Sequence, residues 1–404
     1  MTTATAERPA RAGPDTAPVD RPAVDWPSRD WNVERLAWLR LARSRGIGAR
    51  LFFRLIERFG KAEAAVAALP RLRAKGELAD IDLLPEAAAL AEILAMDGLG
   101  GDLLLGCDTE YPAALAAIAD PPPVLARLGD AELLTRRPLA IVGARNASGN
   151  GRFLARSLAR EASRRGLVIV SGLARGIDTA AHEGGLEGPG STIAVLGCGI
   201  DVAYPPENAP MLRRIAEAGL VLSERPIGTP PLARHFPSRN RIIAGLASAV
   251  LVVEAAARSG SLMTARLAAA EGREVLAVPG SPLDPRHAGT NHLLRDGAAL
   301  VTSIEDVLEA LPAWEAAPPR KPPPRAARPA AATRPDPPPA PPAPPPEALP
   351  ERVARLMSVE PMPVDEVIRQ CHATPAEVQQ ALLDLELEGR VRRHPGNRIS
   401  RALA

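Results

Sequence analysis

Between residues 139 and 278 the chain alternates short β-rich runs with helical stretches, and this alternation leaves few folds open. The runs are 139–142, 167–170, 192–196, 220–222, 249–253 and 274–278, and helical segments such as 152–165 and 261–270 lie between them. Strands alternating with crossover helices pack as a doubly wound α/β fold with a mostly parallel sheet. Such sheets bind ligands beyond the carboxyl ends of their strands, so the residues just after each run are the informative ones. Gly143-Ala144-Arg145-Asn146 follows the first, and the stretch from Ser171 and Gly172 through Arg175-Gly176 to Asp178 follows the second. Gly197-Cys198-Gly199 follows the third, and Pro279-Gly280-Ser281 the last. Small residues let backbone amides approach an anion closely, and Arg145, Arg175, Arg239 and Arg241 add charge. The expectation is a basic, glycine-lined groove along one sheet edge.

The segment 235–264 concentrates this chemistry. Arg239, Asn240 and Arg241 precede its apolar run, and Glu254, Ser259, Gly260 and Ser261 follow it. A buried strand is expected to carry both groups to the same edge. Paired arginines with a Ser-Gly-Ser helix start favour an anionic ligand. Dinucleotide binding is not indicated, because Val202 stands where the fingerprint of Gly197 and Gly199 requires a third glycine. The Gly-Lys-Ser/Thr of a nucleotide-binding P-loop is absent from the sequence. Asp178 and His182 share a helix face at i, i+4, but they read as capping and packing groups, since no third ligand follows at a matching spacing. His235, His287 and His292 form no metal pattern either. Neither a catalytic residue, a cofactor nor a metal is expected.

At 404 residues the chain exceeds one ordinary core. A tail rich in Pro, Ala and charge occupies 1–30, a helical region 31–100, the alternating region 101–312, a Pro/Ala/Arg-rich spacer 313–348, and a further folded unit 349–404. No apolar stretch approaches the ~20 residues of a membrane span, and the scattered Cys107, Cys198 and Cys371 suggest neither a disulfide framework nor a metal site. These features fit a cytoplasmic protein without membrane contact. A net charge of +2 excludes a uniformly basic coat but leaves a local patch open. In the first region Leu36, Leu39 and Leu41, then Leu51, Phe52, Leu55, Ile56 and Phe59, repeat at helical spacing around Gly46-Ile47-Gly48. That arrangement matches a helix-hairpin-helix (SAM-like) module, whose amides meet a DNA phosphate, and equally a tight turn that only packs. Arg43, Arg45 and Arg50 surround it. The last region has winged-helix order. Its second helix carries Glu377, Asp384, Glu386 and Glu388, which suits a protein-interaction or regulatory role better than groove reading.

The segments IVGARNAS, VSGLARGIDTAAH, AVLGCGIDVAYPPEN, LSERPIGTPPLARHFPSRNRIIAGLA, VVEAAARSGSLMTA and AVPGSP, in this order, resemble the DNA-processing protein A (DprA/Smf) family. The resemblance covers about 108–311. It implies an extended Rossmann-like domain that binds single-stranded DNA and loads RecA recombinase during natural transformation, without catalysis and as a homodimer. By motif it implies that Gly143, Arg145, Phe236, Arg239, Asn240 and Arg241 form the DNA pocket. Ser171, Gly172, Arg175, Ser259, Gly260 and Ser261 supply neighbouring donors. With only 3% aromatic residues, a broad stacking platform is disfavoured and backbone-dominated binding expected. The alternative is a nucleotide-processing enzyme resembling the cytokinin-activating phosphoribohydrolases, with Glu254 as its acid. Pro279-Gly280-Ser281-Pro282 lacks the Pro-Gly-Gly-x-Gly-Thr loop those enzymes use.

Overall fold

The computed structural model describes residues 31–76, 78, 80–312, 348–371 and 373–402. The expected tail 1–30 and all but the last residue of the spacer 313–348 lie outside these. A helical module comes first, with α1 (Val33–Arg43), α2 (Ala49–Phe59), α3 (Ala62–Ala74) and α4 (Glu86–Gly98). The sheet region comes next with β1 (Asp102–Leu105), α5 (Ala113–Ala116), β2 (Val124–Gly129), β3 (Pro138–Val142), α6 (Gly149–Arg164), β4 (Val168–Ser171), α7 (Ile177–Leu186) and β5 (Thr192–Leu196). It continues through α8 (Ala209–Ala218), β6 (Leu220–Ser223), α9 (His235–Leu246), β7 (Ala249–Val252), α10 (Ser261–Ala270), β8 (Glu274–Ala277), α11 (Ala288–Arg295), β9 (Ala299–Leu300) and α12 (Ile304–Ala310). A C-terminal module contains α13 (Leu349–Leu356), β10 (Met362–Pro363), α14 (Val364–Cys371), α15 (Pro375–Leu387), β11 (Val391–His394) and β12 (Arg398–Arg401).

The large sheet has nine strands in the order β1-β2-β6-β5-β4-β3-β7-β8-β9. From β6 to β9 neighbouring strands are parallel, while β2 joins β6 and β1 joins β2 antiparallel. Strand alternation explains why the central runs are apolar throughout. Leu139 and Ile141 enter the core on one face, Ala140 and Val142 the core on the other, so β3 has no solvent side. The order reverses at β3, which pairs with β4 on one flank and β7 on the other, as in a Rossmann-type sheet.

The six runs read from sequence coincide with β3 to β8 within a residue at either end. The segment 235–264 departs from expectation in an instructive way. A strand cannot bring residues before and after it to one edge, because it crosses the sheet. The return is made by α9 instead, which starts at the carboxyl edge after β6 and runs back to β7. Phe236, Arg239 and Asn240 reach that edge because they occupy the helix's first turns. The chain then returns there through β7 to Glu254 and Ser259–Ser261.

In the helical module Trp38 packs edge-on against Phe52 at 4.7 Å between centroids, and its Nε1 donates to Pro123 O at 2.8 Å. Gly46, Ile47 and Gly48 join α1 to α2. Gly46 adopts φ +86, a conformation that favours glycine, and packs on Asp80 O and Ile81, while Ile47 is buried. The second sheet, β10-β12-β11, with α13 to α15 forms the winged-helix arrangement. It docks on the start of α6, where Gln370 Nε2 donates to Gly149 O at 3.1 Å and Asn150 Nδ2 to Ser358 Oγ at 3.1 Å. Among the described residues no helix is long and apolar enough to cross a membrane.

Candidate nucleic-acid interface

A small recess opens beyond the carboxyl ends of β3, β4 and β5, lined by Arg145, Gly172, Ala174, Arg175, Tyr204, Pro205, Phe236 and Arg239. Its floor is Arg239. Projecting from α9 and 6% exposed, this side chain donates from Nη1 to Gly172 O at 2.6 Å and to Val195 O at 2.5 Å. Gly172 is required for this contact, since a Cβ there would overlap the guanidinium. Beneath lies Asp178, whose Oδ2 accepts from Gly172 N at 3.1 Å. Burial pushes the Asp178 carboxyl up from its ordinary range and the Arg239 guanidinium down, and each charge opposes the shift of the other. The guanidinium starts so far above neutrality that it stays charged, and its direct hydrogen-bond partners are the Gly172 and Val195 carbonyl oxygens.

His182 completes the underlay without joining the recess. Fully buried, it accepts from Leu173 N at 3.2 Å and meets Thr192 Oγ1 at 2.7 Å, and burial followed by the Arg239 charge pulls it down to about 3. It is a neutral packing group. Among the described residues no cluster of His, Cys, Asp and Glu is arranged to hold a metal ion.

The rim differs from the floor. Arg145 is exposed, stands 5.3 Å from the Phe236 ring centroid, and has no carboxylate partner among the described residues. Phe236 in turn lies 5.4 Å from Tyr204, tilted by 37°. Arg175 is exposed and lies 3.7 Å from Glu207, an exposed pair that water screens heavily. With Arg239 buried on two carbonyl oxygens and Arg175 loosely paired, Arg145 is the rim cation without a carboxylate partner among the described residues, and it sits over an aromatic pair. Sequence reasoning misses Tyr204 because its partner ring is distant in the chain and its own loop shows no periodicity. The Tyr-Pro-Pro-Glu-Asn segment that carries it is the available signal.

The other expected residues are placed elsewhere. Ser171 is buried and donates to Ile141 O at 2.7 Å. Arg241 is engaged by Glu224 at 2.6 Å and Asp120 at 3.2 Å, which spends its charge inside the protein. Asn240 Nδ2 reaches Gly260 O at 3.5 Å, and Ser259 and Ser261 share a hydroxyl contact of 2.7 Å, so these form their own group at the start of α10. Several glycines of the anticipated groove make room for the protein's own atoms. An added Cβ would meet Ile177 at Gly143, Phe236 at Gly197 and His287 at Gly280. Glycine therefore shapes the walls rather than lining an open channel.

Glu254 occupies the switch point itself. It is 1% exposed, and Ser148 approaches it with the backbone N at 2.8 Å and with a short hydroxyl bond. The start of α6, where a Rossmann sheet commonly holds a phosphate, is filled by the protein's own carboxylate. Glu254 thus organises Ser148 and the start of α6.

Comparison with known proteins bears on the family and the fold. The family model described as DNA recombination-mediator protein A matches residues 102–312, slightly more than half of the chain. The chain belongs to this family. Its helical module matches a DprA-like N-terminal HHH domain over residues 32–95, and its last module the DprA winged helix domain over 337–397. Protein Smf of Synechocystis is 33% identical over 395 residues, covering 92% of this chain and 99% of that protein. Protein Smf of Escherichia coli is 40% identical over 301 residues, 73% and 76% of the two chains. DNA processing protein A of Streptococcus pneumoniae, known by X-ray structure, superposes with a TM-score of 0.60 at 34% identity, covering 70% of this chain and 99% of that one. Membership makes this a DNA-processing protein of recombination. The Rossmann-like sheet, helix-hairpin-helix module and winged helix are those the sequence leads one to expect.

Proposed function

We propose that this protein is a single-stranded DNA-binding recombination mediator that protects incoming DNA and loads RecA recombinase during natural transformation, acting as a cytoplasmic homodimer. The observation that carries the reading is the uncompensated Arg145 beside the Phe236 and Tyr204 rings at the mouth of the recess. A phosphodiester needs a cation, an unstacked base needs a π-face, and single strands offer both together. In this reading Arg145 and Arg175 take phosphates, and Phe236 with Tyr204 takes a base. Arg239 holds the ends of β4 and β5 in place beneath them. Nothing in the recess reads a base edge with a fixed donor and acceptor pair, so binding is weakly sequence-selective.

A non-catalytic role is supported by Glu254, whose carboxylate is engaged by Ser148 away from the recess. Release of free base from nucleoside monophosphates by the purified protein would restore the enzyme reading. The binding reading is tested by anisotropy with labelled oligo-dT across a salt series. Two phosphates at the recess give a slope of log K against log salt of about -1.4 on short single strands. A flat response contradicts it.

A further inference from the structure

The first turns of α9 present two faces. At 3.6 residues per turn, Phe236, Arg239 and Asn240 cluster on one side, while Arg234, Ser238 and Arg241 cluster roughly opposite. On the first side Phe236 and Arg239 line the recess and Asn240 reaches Gly260 O beside it. The second meets the loop after β6, where Arg225 is half-buried and donates from Nη2 to Ser238 Oγ at 2.9 Å. The helical module arrives at the same place, since Arg43 Nη1 donates to Glu224 O at 2.6 Å.

Four arginines, Arg43, Arg225, Arg234 and Arg241, therefore lie within electrostatic reach of one another. The carboxylates present are already taken. Glu92 pairs with Arg43 at 2.8 Å, and Glu224 and Asp120 pair with Arg241 at 2.6 and 3.2 Å. Arg225 has only the Ser238 hydroxyl, and the exposed Arg234 has no carboxylate partner among the described residues. His235, 6% exposed, feels both charges: burial first, then Arg225 and Arg234, draw it below its ordinary value. Burial draws Arg225 below its ordinary range, the adjacent Glu224 charge opposes that shift, and the neighbouring Arg241, Arg43 and Arg234 add to it. Four arginines against the carboxylates of Glu92, Glu224 and Asp120 leave an excess of positive charge on the Arg225 and Arg234 side, which an anion would relieve.

We propose that Arg225 and Arg234 form a second phosphate-binding site, across α9 from the recess, through which a longer single strand passes toward the helix-hairpin-helix module. This rests on the single-strand reading of the recess. The ligand is a phosphodiester held by guanidinium donors, with no base contact. A strand occupying only the recess does not reach it, and one that crosses α9 does.

The test compares oligo-dT of about 5 and about 20 nucleotides, the short one sized to a single small site. Full-length protein is titrated with each by anisotropy over a salt series. At ~0.7 per phosphate, two extra contacts take the slope from about -1.4 on the short strand to about -2.8 on the long one. The Arg225→Ala/Arg234→Ala variant is expected to return the long strand to about -1.4 and leave the short strand unchanged. The Arg225→Lys/Arg234→Lys variant keeps the steeper slope and controls for folding. An unchanged long-strand slope in the alanine variant overturns the second site, and so does an equal weakening of both strands. Failure of the recess reading looks different, because Arg145→Ala would then leave both lengths unaffected.

Discussion

Replacing Arg145 by alanine removes the one rim cation that has no carboxylate partner, while leaving the Arg239–Asp178 floor in place. A hydrogen bond to a charged group contributes about 1.5–3 kcal/mol, and the phosphate contact of Arg145 is lost in the variant. A loss of about 1.5–3 kcal/mol corresponds to roughly a 10- to 150-fold rise in Kd at about 1.4 kcal/mol per tenfold. Because one phosphate contact disappears, the salt slope should also become shallower by about 0.7. Anisotropy with a short labelled oligo-dT reads both quantities at once. Thermal stability should barely move, since the side chain is exposed and packs on one ring face. Unchanged affinity and slope in a folded Arg145→Ala protein would refute the reasoning that an uncompensated cation defines the site.

Phe236→Ala should weaken short-strand binding by about 1–3 kcal/mol through lost stacking while leaving the salt slope unchanged, and a slope change would show that the ring acts through Arg145. Gly172→Ala should cost about 2–4 kcal/mol in a denaturant titration, because its Cβ displaces the Arg239 guanidinium from Gly172 O and Val195 O; near-neutral stability would contradict the tight fit. His182 is held neutral in the folded protein, with its value lowered from 6.5 to about 3, so its contribution is fully present above pH 6.5 and is lost as the pH falls toward 3. Between pH 6.5 and 5 wild type should lose about 2 kcal/mol relative to His182→Gln, and parallel stability curves for the two proteins would be the opposing result.

The sequence made the sheet legible where burial on both faces forces uninterrupted apolar runs. It hid β1 and β2 because their short stretches, 102–105 and 124–129, pair antiparallel at the edge and carry polar residues such as Arg127. Two-residue β9 is too short for any periodicity. For the site, charge and residue type found Arg145, Arg175, Arg239 and Gly172, and the family resemblance added Phe236; the fold gathers all five around one recess. They could not tell a rim arginine from a buried one. Arg239 and Arg241 flank Asn240 in sequence, yet helical rotation turns the first under the recess and the second toward Glu224 and Asp120. Residue type was equally silent on the glycines, whose vacant Cβ positions are claimed by Ile177, Phe236, Arg239 and His287. Those contacts exist only after folding.

The mediator role is decided by RecA filament nucleation on single strands already coated with a single-strand-binding protein, followed in real time with and without this protein. Wild type should shorten the nucleation lag several-fold, and Arg145→Ala should not. A lag that wild type leaves unchanged, under conditions where anisotropy shows the strand bound, would contradict a role in recombinase loading.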